Sequence, residues 1–411
     1  TGLLQQLKID SVKRGRMIML KTIIFDMDGV IIDSEPQHAK AAVRTFKELG
    51  ADVDIEYCYS FIGSSTKKMA ETAIKDFSLD ISTDELLEKL NKTKKEMHEK
   101  EGYIAVPGVI ELIKRLYRDG IQLAIASSSS PKEIETVVKK LGIKKYFEKL
   151  VSASQVKHPK PAPDTFLLAL EKLGASLENT VIIEDSENGV KAAKECNVTC
   201  IGFSSPDAVK PQNLYKADVL IESFDSIDKT FIENTLLRSH GKPITIASTK
   251  RLIIRELAVS DIPQIYTIYS DPQVRKYIDN IDDYLDAEME KQKAYIQKVY
   301  SFYGYGLWGV FGKTSKKLIG RCGFENETID GKDEIMLSYL LDSEHWGYGY
   351  ALECCEAALR YAKENLDMNR IVVVIDHDNS RSIKTAEKLG FKYEKDVVFN
   401  DKDRKLFSIQ L

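Results

Sequence analysis

From Met19 to Leu237, short apolar runs alternate with longer stretches in which apolar residues recur every three or four positions. TIIF, IQLAIA, KLVSA, TVIIE and CIGF have the length and bulk of buried strands, whereas VPGVIELIKRLYRDG has the spacing of an amphipathic helix. Strand–helix alternation predicts βαβ units, and hence a parallel sheet covered by helices. Residues 35–101 break this rhythm. There PQHAKAAVRTFKELG, TKKMAETAIKDF and STDELLEKLNKTKKEMHEK follow one another with helical periodicity and no strand between them. They predict a helical insertion after the first strand, returning near Pro107-Gly108. RSHGKPITIAST, residues 238–249, has no apolar periodicity and carries Gly and Pro, so it predicts a linker. Beyond it LWGVFGK, KLIGRCGFE, IMLSYLLD and RIVVVID alternate with hairpin signals and two strong helical patterns, which predicts an α+β domain. The boundaries drawn are a core at 17–33 and 102–237, a cap at 34–101, a linker at 238–248 and a second domain at 249–411.

Bulk properties change this picture little. At 411 residues the chain needs at least two cores, and 43% hydrophobic with 30% charged residues is ordinary for a folded globular protein. A net charge of −4 gives no global reason to expect a nucleic-acid partner. No apolar run has membrane-spanning length and no signal-peptide pattern opens the chain, so no membrane partner is expected. The six cysteines form no C-x-x-C pair and read as small buried thiols of a cytoplasmic protein. The first sixteen residues are read as an extension without assigned function.

Chemistry enters at the strand ends. IIF runs into Asp26, with Asp28 two residues on; LAIA runs into Ser127; VII runs into Glu184-Asp185. In an open parallel sheet ligands bind beyond the carboxyl ends of the strands, so these groups converge if the strands are neighbours. Lys160, in HPKPAPDTF, is flanked by prolines that stiffen its backbone ahead of a helix start. Gathered carboxylates call for a hard cation such as Mg2+. An aspartate can then attack phosphorus, and a second carboxyl can protonate the leaving oxygen and afterwards activate water. Lysine and hydroxyl groups would orient the phosphoryl oxygens.

These four segments resemble the haloacid dehalogenase (HAD) superfamily, in its phosphatase and phosphomutase branch, over about residues 19–235. The resemblance implies a Rossmann-like core with a helical cap, Asp26 as nucleophile and Asp28 as acid/base. It further implies Mg2+ held by Asp26, the Asp28 carbonyl, Glu184 and Asp185, with Ser127 and Lys160 on the phosphoryl group. A dehalogenase needs no acid two residues after its nucleophile, so Asp28 points to phosphate chemistry. Sugar phosphomutases of this type grip a second phosphate with basic cap residues. Here SFIGSSTKKMAE has Gly63, but Ile62 and Thr66 stand where that lysine and arginine are expected, and Lys67 and Lys68 read as a solvated helix face. A phosphatase acting on a small phosphorylated metabolite is therefore expected, with a β-phosphoglucomutase-like mutase as the alternative. His38 reads as a helix-face residue with a local hydrogen bond, and any serine of Ser127–Ser130 could instead be a helix cap.

The second half carries a strand, a turn and a long helix in YLLDSEHWGYGYALECCEAALRYAKEN. Gly347 and Gly349 let a ligand approach the backbone, and the free N–H groups of a helix start make a pyrophosphate cradle. With RIVVVIDHDNSRSIKTAEKLGF downstream and RLIIRELAVSDIPQIYTIYSDPQVRKYI upstream, this set looks like the GNAT acyltransferase superfamily over about residues 249–411. The resemblance implies acetyl-CoA held by Trp346, Gly347, Tyr348, Gly349, Tyr350 and Ala351, with Asn379 at the pantetheine. The acceptor would be an amine on a small molecule or a protein N-terminus. Trp346 replaces the usual basic or amide residue, Met336 stands where many members have a glutamate base with Glu334 two residues earlier, and Ala386 replaces the tyrosine acid. Ser382, one turn before it, is the substitute proton donor. Either proximity to the thioester carries the reaction, or the domain is a CoA-binding regulatory module.

Overall fold

The computed structural model describes residues 18–61, 64, 66–206, 208, 212–225, 227–278 and 284–411, apart from the Gln297 side chain. The expectations for residues 1–17, Ile62 and Gly63 lie outside the described residues. The chain divides into two compact units between Ser239 and His240.

In the first unit β1 (Thr22–Phe25) is followed by the helices α1 (Glu35–Glu48), α2 (Ile55–Ser60), α3 (Thr66–Asp76) and α4 (Thr83–Glu101). The chain then returns through α5 (Val109–Arg118) to β2 (Gln122–Ser127), α6 (Pro131–Lys140), β3 (Lys149–Ser152) and α7 (Asp164–Leu173). It continues with β4 (Thr180–Glu184), α8 (Glu187–Glu195), β5 (Thr199–Phe203), β6 (Val219–Ile221) and α9 (Lys229–Ser239). The six strands pair in parallel in the order β3-β2-β1-β4-β5-β6. Connections leave β1 toward opposite edges, so the crevice beyond the ends of β1 and β4 is the switch point where such sheets take ligands.

Alternation along β1 explains the layering. Ile23 and Phe25 face one apolar layer with Leu112 and Val137, whereas Ile24 faces the other with Phe166 and Ala193. Both faces are covered, which is why β1 and β4 read as unbroken apolar runs. The cap helices enclose a separate core around Ala42, Phe46, Ala70 and Leu86.

The second unit opens with β7 (Thr245–Ser248) and β8 (Leu252–Arg255), then α10 (Ile262–Ser270), α11 (Pro272–Arg275) and α12 (Leu285–Tyr303). Strands β9 (Leu307–Gly312), β10 (Leu318–Ile329) and β11 (Lys332–Leu341) precede α13 (Tyr350–Asn365). β12 (Arg370–Asp376), α14 (Ser380–Lys388), β13 (Lys392–Phe399) and β14 (Lys402–Gln410) complete it. One mixed sheet runs β13-β14-β12-β11-β10-β9-β8-β7. Its parallel pair, β11 and β12, meets in register at Met336 and Val372.

The expected linker is shorter than drawn. α9 extends to Ser239, and Thr245–Ser248 pairs antiparallel with β8, leaving 240–244 as the connection. Four residues of an edge strand after a Gly-Lys-Pro turn show too little periodicity to be read from sequence. No helix among the described residues is long and apolar enough to cross a membrane.

Because the cap has its own small core, it is the part of the first unit most sensitive to a void. Phe46 is fully buried there. Phe46→Ala should cost about 3–5 kcal/mol, read as lost hydrogen-exchange protection in α1–α4 while β1, β2 and β4 keep theirs.

Candidate active sites

The first site is built where β1 ends. The Asp26 N–H donates to the Ile183 carbonyl at 3.0 Å, continuing the ladder to β4 and fixing the direction of Asp26. The chain then turns through Gly29 at φ +81°. A Cβ there would lie 1.9 Å from Asp185 Oδ2, and one at Gly189 would lie 1.7 Å from Glu184 Oε1. Both acidic residues thus occupy notches that only glycine leaves open.

Lys160 Nζ, on a side chain 6% exposed, stands 2.5 Å from Asp26 Oδ1 and 2.5 Å from Glu184 Oε1. It also donates to the Ala126 carbonyl at 3.2 Å and lies 4.6 Å from the Phe166 ring centroid. The other Glu184 oxygen accepts the backbone N–H groups of Asp185 and Ser186 and the Ser186 hydroxyl. Ser127 is fully buried, and its Oγ lies 3.3 Å from Asp28 Oδ2. Ser129, a residue the sequence does not single out, donates to that same oxygen at 2.8 Å. Ser152 in turn holds the Ser129 carbonyl at 2.7 Å. Asp28 Oδ1 is buried and unpartnered. The structure therefore brings Asp26, Asp28, Ser127, Lys160, Glu184 and Asp185 to one crevice.

Its electrostatics are those of crowded carboxylates. Burial pushes Asp26 up to about 8, with Glu184 and Asp28 adding to the rise and Lys160 opposing it. Asp185 is raised well above the usual range by burial and by Glu184. Burial also works against the Lys160 charge, but Asp26 and Glu184 outweigh it and raise that pKa. Oxygens of Asp26, Glu184 and Asp185 lie within 4.8 Å of one another. One ammonium balances two of them, and Asp185 has no side-chain partner among the described residues. An all-oxygen set with excess negative charge fits a hard divalent cation.

From the cap, His38 of α1 faces this crevice. The expected local hydrogen bond of its ring is not formed. Nε2 is buried without a partner, and the ring stacks on His98 with centroids 6.1 Å apart. His38 is half-buried, and its ring finds no hydrogen-bond partner among the described residues. Burial, Lys94 and His98 push its pKa down to about 3, against the pull of Asp28. Lys94 of α4 pairs with Glu133 of α6 at 2.8 Å, tying cap to core. Thr66, Lys67 and Lys68 are exposed, and Lys67 lies 3.9 Å from Glu71.

The second site lies where β11 gives way to α13. Gly347 (φ +84°) and Gly349 (φ +78°) are both left-handed, and Gly349 caps α13 ahead of Tyr350 and Ala351. Arg251, unnoticed in the sequence, pins this turn. It donates to the Tyr348 carbonyl at 2.8 Å, pairs with Glu353 at 2.6 Å and lies 4.3 Å from the Tyr350 ring centroid. Trp346 donates from its indole to the Leu341 carbonyl, and Arg381 stacks 4.9 Å from its ring. Positive charge is thus present at the position where Trp346 replaces a polar residue.

Asn379 Oδ1 accepts the Ser382 N–H and caps α14, leaving its amide nitrogen for a ligand. Ser382 lies beside the Tyr339 hydroxyl, which is buried without a well-formed hydrogen bond and whose pKa burial raises. Glu334 is held by Arg370 at 3.1 Å, and Met336 is buried. Tyr339 could not be found from sequence, because its neighbours Ser382 and Thr385 are more than forty positions away.

Comparison with known proteins agrees with this division. The family model of haloacid dehalogenase-like hydrolases matches residues 23–203, and that of the acetyltransferase (GNAT) domain matches residues 251–392. The chain is 30% identical over 179 residues to a fructose-1-phosphate phosphatase of Escherichia coli, covering 44% of this chain and 94% of that one. It is 30% identical over 179 residues to a phosphorylated carbohydrates phosphatase of Thermotoga maritima, covering 44% and 82%. It is also 33% identical over 193 residues to the chloroplastic protein Suppressor of Quenching 1 of Arabidopsis thaliana. That match covers 45% of this chain and spans 18% of the plant protein's length.

Folded His38 stays neutral at pH 5, whereas the unfolded chain takes up a proton below the ordinary value of 6.5. Its contribution therefore falls as pH drops from 6.5 toward 3. By pH 5 the first unit should lose about 2 kcal/mol that a His38→Gln variant does not lose. Urea unfolding followed by far-ultraviolet circular dichroism reads this out; tryptophan fluorescence does not, since both tryptophans, Trp308 and Trp346, lie in the second unit.

Proposed function

Since the chain belongs to the haloacid dehalogenase-like hydrolases and carries a GNAT acetyltransferase domain after that unit, we propose that it is a two-headed enzyme. The first unit is a Mg2+-dependent phosphatase for a small phosphorylated metabolite, and the second an acetyl-CoA-dependent N-acetyltransferase. The observation that carries the first half is the pairing of a nucleophile fixed by Lys160 with an acid/base whose Oδ1 is free while Ser127 and Ser129 hold Oδ2.

In this reading an Asp26 oxygen attacks phosphorus, the bond to the ester oxygen breaks, and Asp28 delivers its proton to that oxygen. Water then attacks the aspartyl phosphate while Asp28 takes up a proton, restoring Asp26 and freeing phosphate. Lys160 and Ser127 orient the phosphoryl oxygens. Asp26, the Asp28 carbonyl, Glu184 and Asp185 would hold Mg2+, which when bound supplies positive charge against the transferring group. Relatives named for fructose 1-phosphate and phosphorylated carbohydrates support a sugar-like phosphate. The solvent-facing Thr66, Lys67 and Lys68 support hydrolysis over a mutase that must grip a second phosphate.

In the second unit the amides from Gly347 to Ala351 receive the pyrophosphate of acetyl-CoA, with Arg381 and Trp346 beside them and the Asn379 amide at the pantetheine. The acceptor amine adds to the thioester carbonyl, the carbon–sulfur bond breaks, Ser382 passes a proton to the leaving thiolate, and the proton shed by the nitrogen as the amide forms restores the serine. The Arg370–Glu334 pair supports a second reading, in which the domain binds acetyl-CoA without turnover, because it occupies the carboxylate nearest the base position. All six cysteines are free thiols, which fits a reducing cytoplasm.

The full chain should release phosphate from a sugar-phosphate panel. Asp26→Asn or EDTA should reduce this to background, with Mg2+ restoring only the EDTA-treated enzyme; turnover by Asp26→Asn would remove that residue from its role. A Cβ at Gly347 meets no atom within 4 Å, but Gly347→Val must hold φ +84°. It should therefore weaken acetyl-CoA binding by about 1–2 kcal/mol, or 5- to 30-fold, in calorimetry. Free thiol release with an amine panel separates the transferase from the binding module.

A further inference from the structure

Three of the six cysteines meet at one point of the second unit. Cys322 lies on β10 and Cys354 and Cys355 on α13, one turn behind the Gly347–Ala351 turn. All three are fully buried, and their sulfurs lie within 4.8 Å of one another. Cys322 Sγ and Cys355 Sγ are 3.8 Å apart, although 33 residues separate them in sequence. No fourth His, Cys, Asp or Glu joins the group among the described residues.

We propose that Cys322, Cys354 and Cys355 form a three-coordinate site for one soft monovalent metal ion, Cu(I). Geometry is the first support. Two sulfurs 3.8 Å apart with a third within 4.8 Å of both place each about 2.2–2.6 Å from the centre, close to a metal–thiolate distance of about 2.3 Å.

Ligand chemistry is the second. An all-thiol set selects soft ions. A structural zinc site needs four ligands, and the fourth is lacking here. Binding needs no change of oxidation state and no oxidant.

The test is an anaerobic Cu(I) titration of the full-length chain against the chromogenic chelator bicinchoninate. The wild type should withhold one equivalent, with X-ray absorption showing three sulfur ligands. Cys322→Ser and Cys355→Ala, each checked for folding by circular dichroism, should lose that equivalent, and Cys58→Ser should keep it. The idea is overturned if the wild type withholds none, both as the native protein and after refolding with the ion present. Nitrogen or oxygen ligation in the loaded wild type, or undiminished retention in either folded cluster variant, overturns it equally.

Discussion

One buried ammonium organises the first unit. Lys160 reaches from the α7 end of the sheet to stand between Asp26 and Glu184, and without it three carboxylates would share a low-dielectric crevice. Two charges at 4 Å repel by about 4 kcal/mol at an effective dielectric of 20, a repulsion relieved where the Lys160 ammonium stands between two of the carboxylates. The two glycine notches follow from that crowding. Glu184 and Asp185 come so close to Gly189 and Gly29 that any side chain there would displace a carboxylate.

The second unit is built differently. Its turn presents main-chain N–H groups at a helix start, where partial charge is distributed over several amides. Rigidity therefore comes from outside the turn, through the Arg251 guanidinium bound to Tyr348, Tyr350 and Glu353. The parallel pair β11 and β12 meets in register at Met336 and Val372; Tyr339 lies farther along β11, beside Ser382 of α14.

Much of this was legible in the chain. Apolar runs ending in Asp26, Ser127 and Glu184-Asp185 announced a parallel sheet and its polar edge, because burial on both faces forces such runs and charge can appear only where they stop. Four consecutive serines could not say which of them holds Asp28; identical residues carry no directional information, and both Ser127 and Ser129 do. Arg251 and Tyr339 escaped notice for another reason. Their partners are tens of residues distant, and nothing local to either residue encodes them. His38 was misjudged because stacking on His98 depends on how two cap helices pack.

The short strand Thr245–Ser248 bears on how the molecule can be taken apart. It covers the outer edge of β8, and Ile246 and Ala247 pack against the apolar core of the second unit. A fragment begun at residue 249 would leave β8 with a row of unpaired backbone groups beside bare apolar surface, the template on which strands from other copies assemble. Dissection at His240 keeps that edge sealed, so solubility of the isolated second unit depends on residues 240–248, which look dispensable.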